Sequence, residues 1–168
     1  MKAVVFTLGC KVNGCESASL LRGLEERGYE VSDELVPADL YILNTCAVTA
    51  EAERKSRQAV GRALKYNPAA KVVVCGCASQ KSPAAFAGKP NVIVVAGARR
   101  KGKILDIAAQ GFPDALCGVL VDEREGAYDE LPVPECLKTR NFVKIQDGCD
   151  RFCSYCVIPY LRGRSRSR

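Results

Sequence analysis

The chain has 168 residues and a net charge of +6, and its contents of 48% hydrophobic and 26% charged residues are typical of a globular domain. Ten cysteines without a single histidine would fit a disulfide scaffold, which is characteristic of short secreted chains. The N-terminus has no signal-peptide cleavage site and no apolar run approaches the roughly 20 residues of a membrane span, so we expect a cytoplasmic protein with metal-bound cysteines and no membrane contact.

Apolar runs alternate with amphipathic segments from residue 3 to residue 110. The apolar runs predict strands over 3–8, 29–32, 39–44, 71–76 and 91–96. The amphipathic segments predict helices over 16–28, 50–66 and 99–110. Strands that alternate with helices are typical of an α/β fold, here an open parallel sheet flanked by helices.

The alternation then stops in a segment rich in proline and acidic residues, which indicates a linker. This segment contains a single candidate strand, at 117–121. Residues 140–146 alternate like a strand again and lead directly into a cysteine-rich loop. The sequence therefore predicts an α/β domain, a linker and the start of a second domain, with boundaries at 1–112, 113–138 and 139–168.

Most of the positive charge lies at the C-terminal end. Residues 139–168 hold seven Lys or Arg and two Asp or Glu, a net charge of +5, whereas residues 1–138 hold 18 basic and 17 acidic side chains, a net charge of +1. A basic tail is a candidate surface for RNA phosphates, but it is equally typical of a solvated chain end. Charge alone leaves both interpretations open for Arg162, Arg164, Arg166 and Arg168.

Three cysteines near the C-terminal end have Cys-x3-Cys-x2-Cys spacing, namely Cys149, Cys153 and Cys156. Thiolates are the soft ligands that iron–sulfur clusters prefer, and three of them can hold a 4Fe–4S cluster with one iron left open. Structural zinc usually takes a fourth sulfur or nitrogen ligand, and no histidine or further cysteine follows. The spacing therefore favours a site-open iron–sulfur cluster over zinc.

Three further cysteines follow predicted strands: Cys10, Cys46 and Cys77. In an open parallel sheet the carboxyl ends of the strands lie at one edge, where ligands bind. Each cysteine is next to a glycine or alanine, and such small neighbours let the backbone approach a bulky cluster. These cysteines can therefore meet at a second cluster, although free thiols are also common in ordinary protein cores.

Several residues near these cysteines are weaker candidates for a role at a cluster site. Asn13 and Asn44 could hydrogen-bond to cluster sulfurs or cap turns, which is the commoner role of asparagine. Cys15 lies close to Cys10 in the sequence and competes with it as a ligand, whereas Glu16 has no clear role. The remaining cysteines are assigned to strands or to the linker, namely Cys75, Cys117 and Cys136.

Motifs from both ends of the chain resemble the same family. The run 149–156, with the aromatic Tyr155 before its third cysteine, resembles the radical S-adenosylmethionine (SAM) enzymes. Residues 153–168, Cys-Ser-Tyr-Cys-Val-Ile-Pro-Tyr-Leu-Arg-Gly-Arg-Ser-Arg-Ser-Arg, are similar to the methylthiotransferases of that superfamily. Residues 7–13, Thr-Leu-Gly-Cys-Lys-Val-Asn, resemble the opening of these methylthiotransferases, and most closely of the branch that modifies threonylcarbamoyladenosine (t6A) in tRNA.

The resemblance implies two 4Fe–4S clusters and SAM as cofactors. The matching ligands are Cys10, Cys46 and Cys77 for the first cluster and Cys149, Cys153 and Cys156 for the second. Asn13 and Asn44 would support the first cluster, and Tyr155 would lie near the adenine of SAM at the second. The resemblance also implies that residues 140–168 form the first strand and the cluster loop of a partial TIM-like barrel, which is truncated in this chain.

The reaction implied by the resemblance is a radical methylthiolation that places a methylthio group on C2 of the t6A base beside the tRNA anticodon. The implied partners are the anticodon loop of tRNA, a reductant protein and a sulfur source. The chain by itself is expected to be inactive, because most of the barrel is missing from it. The alternatives are a methylthiotransferase that acts on isopentenyladenosine in tRNA or on a ribosomal protein and, in another class, a zinc-binding nucleic-acid module.

Overall fold

The computed structural model describes residues 1–99, 101–113, 118–121, 128–134 and 142–168. Its main element is a six-stranded sheet in the order β2-β1-β3-β4-β5-β6, in which every neighbouring pair is parallel. The strands are β1 (Lys2–Thr7), β2 (Glu30–Ser32), β3 (Leu40–Thr45), β4 (Lys71–Gly76), β5 (Val92–Ala96) and β6 (Gly118–Leu120). The predicted fold class, an open parallel sheet flanked by helices, is confirmed.

Helices cover both faces of this sheet. They are α1 (Lys11–Glu25), α2 (Ala50–Leu64), α3 (Cys77–Lys81), α4 (Ala84–Ala87), α5 (Gly102–Ala109) and α6 (Ile158–Arg162). The apolar side chains of α1 and α5 belong to one buried core, and those of α2, α3, α4 and α6 belong to the core on the opposite face. Within the described residues, no helix is long and apolar enough to cross a membrane.

The central strand β3 is buried along its whole length. Tyr41 and Leu43 point into one core, while Leu40 and Ile42 point into the other. A parallel strand that is covered on both faces has apolar residues at nearly every position. This is why the central strands are visible in the sequence as short apolar runs.

The structure corrects the start of the first helix. α1 begins at Lys11, five residues before the start predicted at residue 16. The sequence-based prediction followed the apolar stripe that begins at Leu20, but the first turns of α1 carry buried polar residues instead, including Asn13 and Glu16. The short helices α3, α4 and α6 were not predicted, because four or five residues give too little periodicity.

The C-terminal segment also differs from its prediction. The strand predicted over 140–146 is reduced to β7 (Gln146–Asp147), which pairs antiparallel with β8 (Arg166–Ser167); residues 140 and 141 lie outside the described residues. The helix between them, α6, packs its Leu161 into the core that contains Cys77. The segment is therefore attached to the sheet, while the barrel and the division into three segments remain predictions.

Candidate metal centre

Three cysteines lie at the carboxyl edge of three neighbouring strands. Cys10 follows β1 and precedes α1, Cys46 follows β3, and Cys77 follows β4 as the first residue of α3. Because β1, β3 and β4 are adjacent and parallel, their carboxyl ends share one edge of the sheet. Cys46 and Cys77 are buried and Cys10 is exposed. We call these three cysteines and the turns that carry them the sheet-edge site.

Two glycines hold the turns of the sheet-edge site close together. Gly9 has a φ of +101°, and a Cβ at this position would lie 2.5 Å from both Cβ and Sγ of Cys46. Gly76 has a φ of +103°, and a Cβ there would overlap the backbone of Thr45. An L side chain at either position would combine an unfavourable backbone conformation with steric overlap. The turns before Cys10 and Cys77 therefore pack directly against the end of β3.

The two asparagines predicted to support a cluster join the same turns. Asn13 Nδ2 donates to the carbonyl oxygens of Leu8, at 2.8 Å, and Thr45, at 3.0 Å. Asn44 Nδ2 donates to the Asn13 carbonyl and to Ser17 Oγ, both at 3.0 Å. Since both amide groups donate within the protein, the asparagines hold the backbone of the sheet-edge site. A direct contact between either asparagine and a cluster stays a prediction.

The backbone of Cys46 is held by helix α2. Ser56 Oγ accepts a hydrogen bond from the Cys46 N–H at 3.0 Å. The same hydroxyl lies 2.9 Å from the Cys46 carbonyl and 2.8 Å from the Ala52 carbonyl, to one of which it donates. Thr49 caps the helix by accepting from the Ala52 N–H at 3.1 Å. The position of Cys46 is thus set by the start of α2 as well as by β3.

Burial raises the pKa of three thiols in this region. For Cys75, near the end of β4, the pKa rises to about 12, as expected for a core cysteine. Burial also raises the pKa of Cys77, against the opposing effect of the Arg162 guanidinium, which lies close enough to act by charge and hydrogen bonding. For Cys15, burial and the adjacent Glu16 carboxylate raise the pKa. Metal ligation by Cys77 would therefore release a proton.

The second set of cysteines lies in the loop between β7 and α6, which we call the thiolate loop (residues 149–156). The Cys149 N–H donates to the Gly163 carbonyl at 3.0 Å, and the Cys156 N–H donates to the Cys153 carbonyl at 2.9 Å. Cys153 is exposed and the other two cysteines are half-buried. Tyr155 is 90% exposed, so its ring is accessible to a bound molecule. Its predicted contact with SAM is not tested by this arrangement.

Neither set of cysteines is already arranged around a metal ion. In the part of the chain that the structure describes, no group of three or more Cys, Asp or Glu side chains has a metal-holding arrangement. The topology places Cys10, Cys46 and Cys77 at one edge, and the donor chemistry, three soft thiols in each set, fits iron–sulfur clusters. Gly9 also brings the turn that carries Cys10 directly against Cys46, so two of the three sheet-edge cysteines lie in adjoining turns. Ligation by the six cysteines remains a prediction.

A cluster of charged side chains joins α1 to the C-terminal segment. Glu16 in α1, with 1% of its side chain exposed, forms ion pairs with Lys101, with Lys144 at 2.7 Å and with Arg162 at 2.9 Å. Asp147 in β7 also pairs with Lys144 and Arg162, at 2.9 Å each. We call these two carboxylates and three cations the buried ion network.

Arg162 connects the buried ion network to the sheet-edge site. It is 3% exposed, and its Nη1 donates to Glu16 and to Asp147 at 2.9 Å. Its Nη2 donates to Asn13 Oδ1 at 2.8 Å. One side chain from α6 therefore contacts both α1 and β7.

The electrostatics of the network favour its ionised form. Burial by itself would raise the pKa of the Glu16 carboxyl, but the charges of Lys101, Arg162 and Lys144 outweigh it and hold that pKa far below its usual range. Burial would also raise the pKa of Asp147, and the charges of Arg162 and Lys144 likewise lower it. Both carboxylates are therefore charged at neutral pH.

The sequence analysis did not identify this network. It treated the arginines of the tail as candidates for phosphate contact, but Arg162 is buried and the side chain of Arg166 is only 11% exposed. The burial of Glu16 could have been predicted from the sequence of α1, because Glu16 lies four residues before Leu20 on the face that packs inward. A carboxylate on such a face requires a cationic partner.

The fold and the thiols define a cysteine-rich α/β protein with two sets of three cysteines. Residues 2–97 match a family model described as "Uncharacterized protein family UPF0004". Since the match covers more than half of the chain, the chain belongs to this family.

Named proteins that are similar to this chain include enzymes of three kinds. The chain is 41% identical to the threonylcarbamoyladenosine tRNA methylthiotransferase MtaB of Bacillus subtilis, over 100% of the chain and 38% of that protein. It is 37% identical to the ribosomal protein uS12 methylthiotransferase RimO of Thermus thermophilus, over 96% of the chain and 36% of that protein. It is 34% identical to a tRNA-2-methylthio-N(6)-dimethylallyladenosine synthase of Helicobacter pylori, over 99% of the chain and 38% of that protein. The chain thus spans a little over a third of the length of these relatives.

Proposed function

We propose that this chain provides the cluster-binding part of a methylthiotransferase that modifies t6A in tRNA. The observation that carries the proposal is the pair of thiol sets, one at the sheet edge and one in the thiolate loop, in a chain 41% identical to a relative named for this activity. The implied partners are the anticodon loop of tRNA, a reductant protein and a sulfur source. A cytoplasmic location agrees with such partners.

Each set of three cysteines has its own role in this proposal. The sheet-edge cysteines would hold one 4Fe–4S cluster and the thiolate loop a second one that binds SAM. When bound, these groups would supply the radical, methyl and sulfur chemistry of the reaction. The exposed ring of Tyr155 would pack near the adenine of SAM. Gly9, Asn13 and Ser56 would orient the sheet-edge ligands through the contacts described above.

The names of the other relatives suggest alternative substrates for this enzyme. The chain is 34% identical to an enzyme named for dimethylallyladenosine in tRNA and 37% identical to one named for ribosomal protein uS12. The higher identity to the B. subtilis MtaB favours t6A as the substrate. A nucleic-acid-binding module held by zinc is the alternative outside the transferases.

The first test is the amount of iron and sulfide bound after anaerobic reconstitution. We expect about eight irons per wild-type chain and about four in a Cys149→Ala/Cys153→Ala/Cys156→Ala variant, with matching sulfide. Cys75→Ala, which removes a buried thiol of β4, is the matched control and should keep about eight. About one zinc per chain without sulfide would overturn the proposal and support the zinc module.

A second test addresses the substrate. The chain would replace the matching part of the B. subtilis MtaB in a strain that lacks that enzyme, and tRNA nucleosides would be measured by mass spectrometry. We expect the 2-methylthio form of t6A to return, and Cys46→Ala in the same chimera to abolish it. A chimera that is stably produced with clusters but yields no methylthio-t6A would contradict the assignment of this substrate.

A further inference from the structure

We propose that Arg162 is a positioning residue of the sheet-edge site, so that the C-terminal segment completes a site whose three cysteines all lie before residue 78. The proposal rests on the proposed function for the identity of the group that the site binds. The contacts that place Arg162 are independent of that identity.

The guanidinium of Arg162 is held in one orientation. Its planar fork donates to both oxygens of Glu16, from Nη1 at 2.9 Å and from Nη2 at 3.3 Å, and Nη1 also donates to Asp147. A forked guanidinium that pairs with a carboxylate in this way has little rotational freedom. The α6 backbone is fixed as well, because Leu161 is buried in the core that includes Cys77 and Ala78.

Asn13 connects Arg162 to the cysteine turns by hydrogen bonds. Arg162 Nη2 donates to Asn13 Oδ1, which leaves Asn13 Nδ2 directed at the carbonyls of Leu8 and Thr45. Leu8 lies two residues before Cys10, and Thr45 directly precedes Cys46. Arg162 therefore fixes the amide orientation of the residue that joins these two turns.

The third cysteine packs against the helix that carries Arg162. Leu161, the residue before Arg162, is buried in the same core as Cys77 and Ala78, so the Arg162 cation lies on the side of the sheet edge that holds Cys77. Hydrogen bonds and net charge at ligand sulfurs set the reduction potential of an iron–sulfur cluster. Loss of this cation would therefore make a cluster held by Cys77 harder to reduce and shift its potential to a more negative value.

The first experiment uses the metal-free chain and hydrogen exchange measured by mass spectrometry. Arg162→Gln removes the positive charge and the paired N–H donors of the guanidinium. We therefore expect faster exchange of backbone amide hydrogens in peptides that cover α1 and α3. Arg164→Gln is the matched control, because the Arg164 side chain is 70% exposed and interacts with the exposed Asp150, at 3.5 Å, and with the ring of Phe152. Unchanged exchange in both helices of Arg162→Gln would overturn the proposal.

The second experiment measures the reduction potential of the sheet-edge cluster in chains that also carry Cys149→Ala, Cys153→Ala and Cys156→Ala. We expect a more negative potential for Arg162→Gln, a smaller shift for Arg162→Lys because its charge is kept, and no shift for Arg164→Gln. Circular dichroism would verify that each variant is folded. An unchanged potential in a folded, loaded Arg162→Gln chain would overturn the role of Arg162 at the sheet-edge site.

The two experiments separate this inference from the proposed function. If the wild-type chain binds no iron or sulfide at the sheet-edge site, the proposed function fails. In that case hydrogen exchange alone still tests the link between Arg162 and the cysteine turns, because that measurement requires no cluster. Normal cluster binding with no effect of Arg162→Gln on exchange or potential would leave the proposed function intact and overturn only the inference.

Discussion

At the scale of single residues, Glu16 is the clearest case of a side chain whose role depends on its partners. A carboxylate removed from water is stable only where other groups replace its hydration, and Lys101, Lys144 and Arg162 do so here. Removal of the Glu16 charge takes away the carboxylate that pairs with Lys101 and leaves Lys144 and Arg162 to share Asp147. Glu16 should therefore contribute far more to stability than an exposed acid does.

Glu16→Gln is expected to lower the free energy of unfolding by about 3 kcal/mol or more, because three cations lose their shared counter-charge. Urea denaturation of the metal-free chain at neutral pH would measure this loss. The control is Glu30→Gln, since Glu30 pairs with Lys2 at 3.0 Å but has 71% of its side chain exposed. That change should cost less than about 1 kcal/mol, and equal losses in the two variants would contradict the prediction.

At the scale of elements, α2 both covers the sheet and fixes one candidate ligand. Its inward residues Ala59, Val60 and Ala63 pack into the core. On the same helix, the buried Ser56 accepts a hydrogen bond from the buried N–H of Cys46, which is cut off from water. The helix that stabilises the sheet therefore also determines where a sheet-edge cysteine lies.

Ser56→Ala should lower the free energy of unfolding by about 1–3 kcal/mol, because it leaves the buried N–H of Cys46 without a partner. Iron bound at the sheet-edge site should fall at the same time. Denaturation and iron analysis would be compared with Gln58→Ala, at an exposed position of the same helix. If both variants bind iron equally, Ser56 does not position Cys46.

At the scale of the whole molecule, the buried ion network holds the C-terminal segment on the α/β domain. Its carboxylates come from α1 and β7, and its cations come from residues 101, 144 and 162. Since the folded state depresses the pKa of Glu16 and Asp147, it binds fewer protons than the unfolded chain does in acid. The stability that these groups provide is complete above their unfolded pKa values and is lost as the pH falls.

The difference in unfolding free energy between the wild type and Glu16→Gln should therefore shrink below about pH 5, near the unfolded glutamate pKa of about 4.3. Above that pH the difference should be constant. Urea midpoints at several pH values would measure it, and the subtraction removes the opposite contribution of Asp129, whose pKa is raised by burial. A difference that stays the same down to pH 3 would contradict an ionised Glu16.

Much of the sheet was predictable from local sequence. β4 was predicted at 71–76 and is found at Lys71–Gly76, and α2 was predicted over 50–66 and is found at Ala50–Leu64. Burial on both faces makes a strand a continuous apolar run, and an amphipathic helix of fifteen residues has a clear period. The same rule placed Cys10, Cys46 and Cys77 at strand ends before any contact was known.

The sequence by itself supplied the prediction that six cysteines bind clusters, because thiols, glycines and their spacing are local features of the chain. It also determined the order of strands and helices, which follows from short-range periodicity. Only the tertiary structure decided that Arg162 and Glu16, which are 146 positions apart, form one buried ion pair beside the sheet-edge site. An ion pair between distant segments produces no periodic pattern in the sequence. Each charged residue looks, in the sequence, like an ordinary exposed residue, and only the packing of the folded chain decides that it is buried.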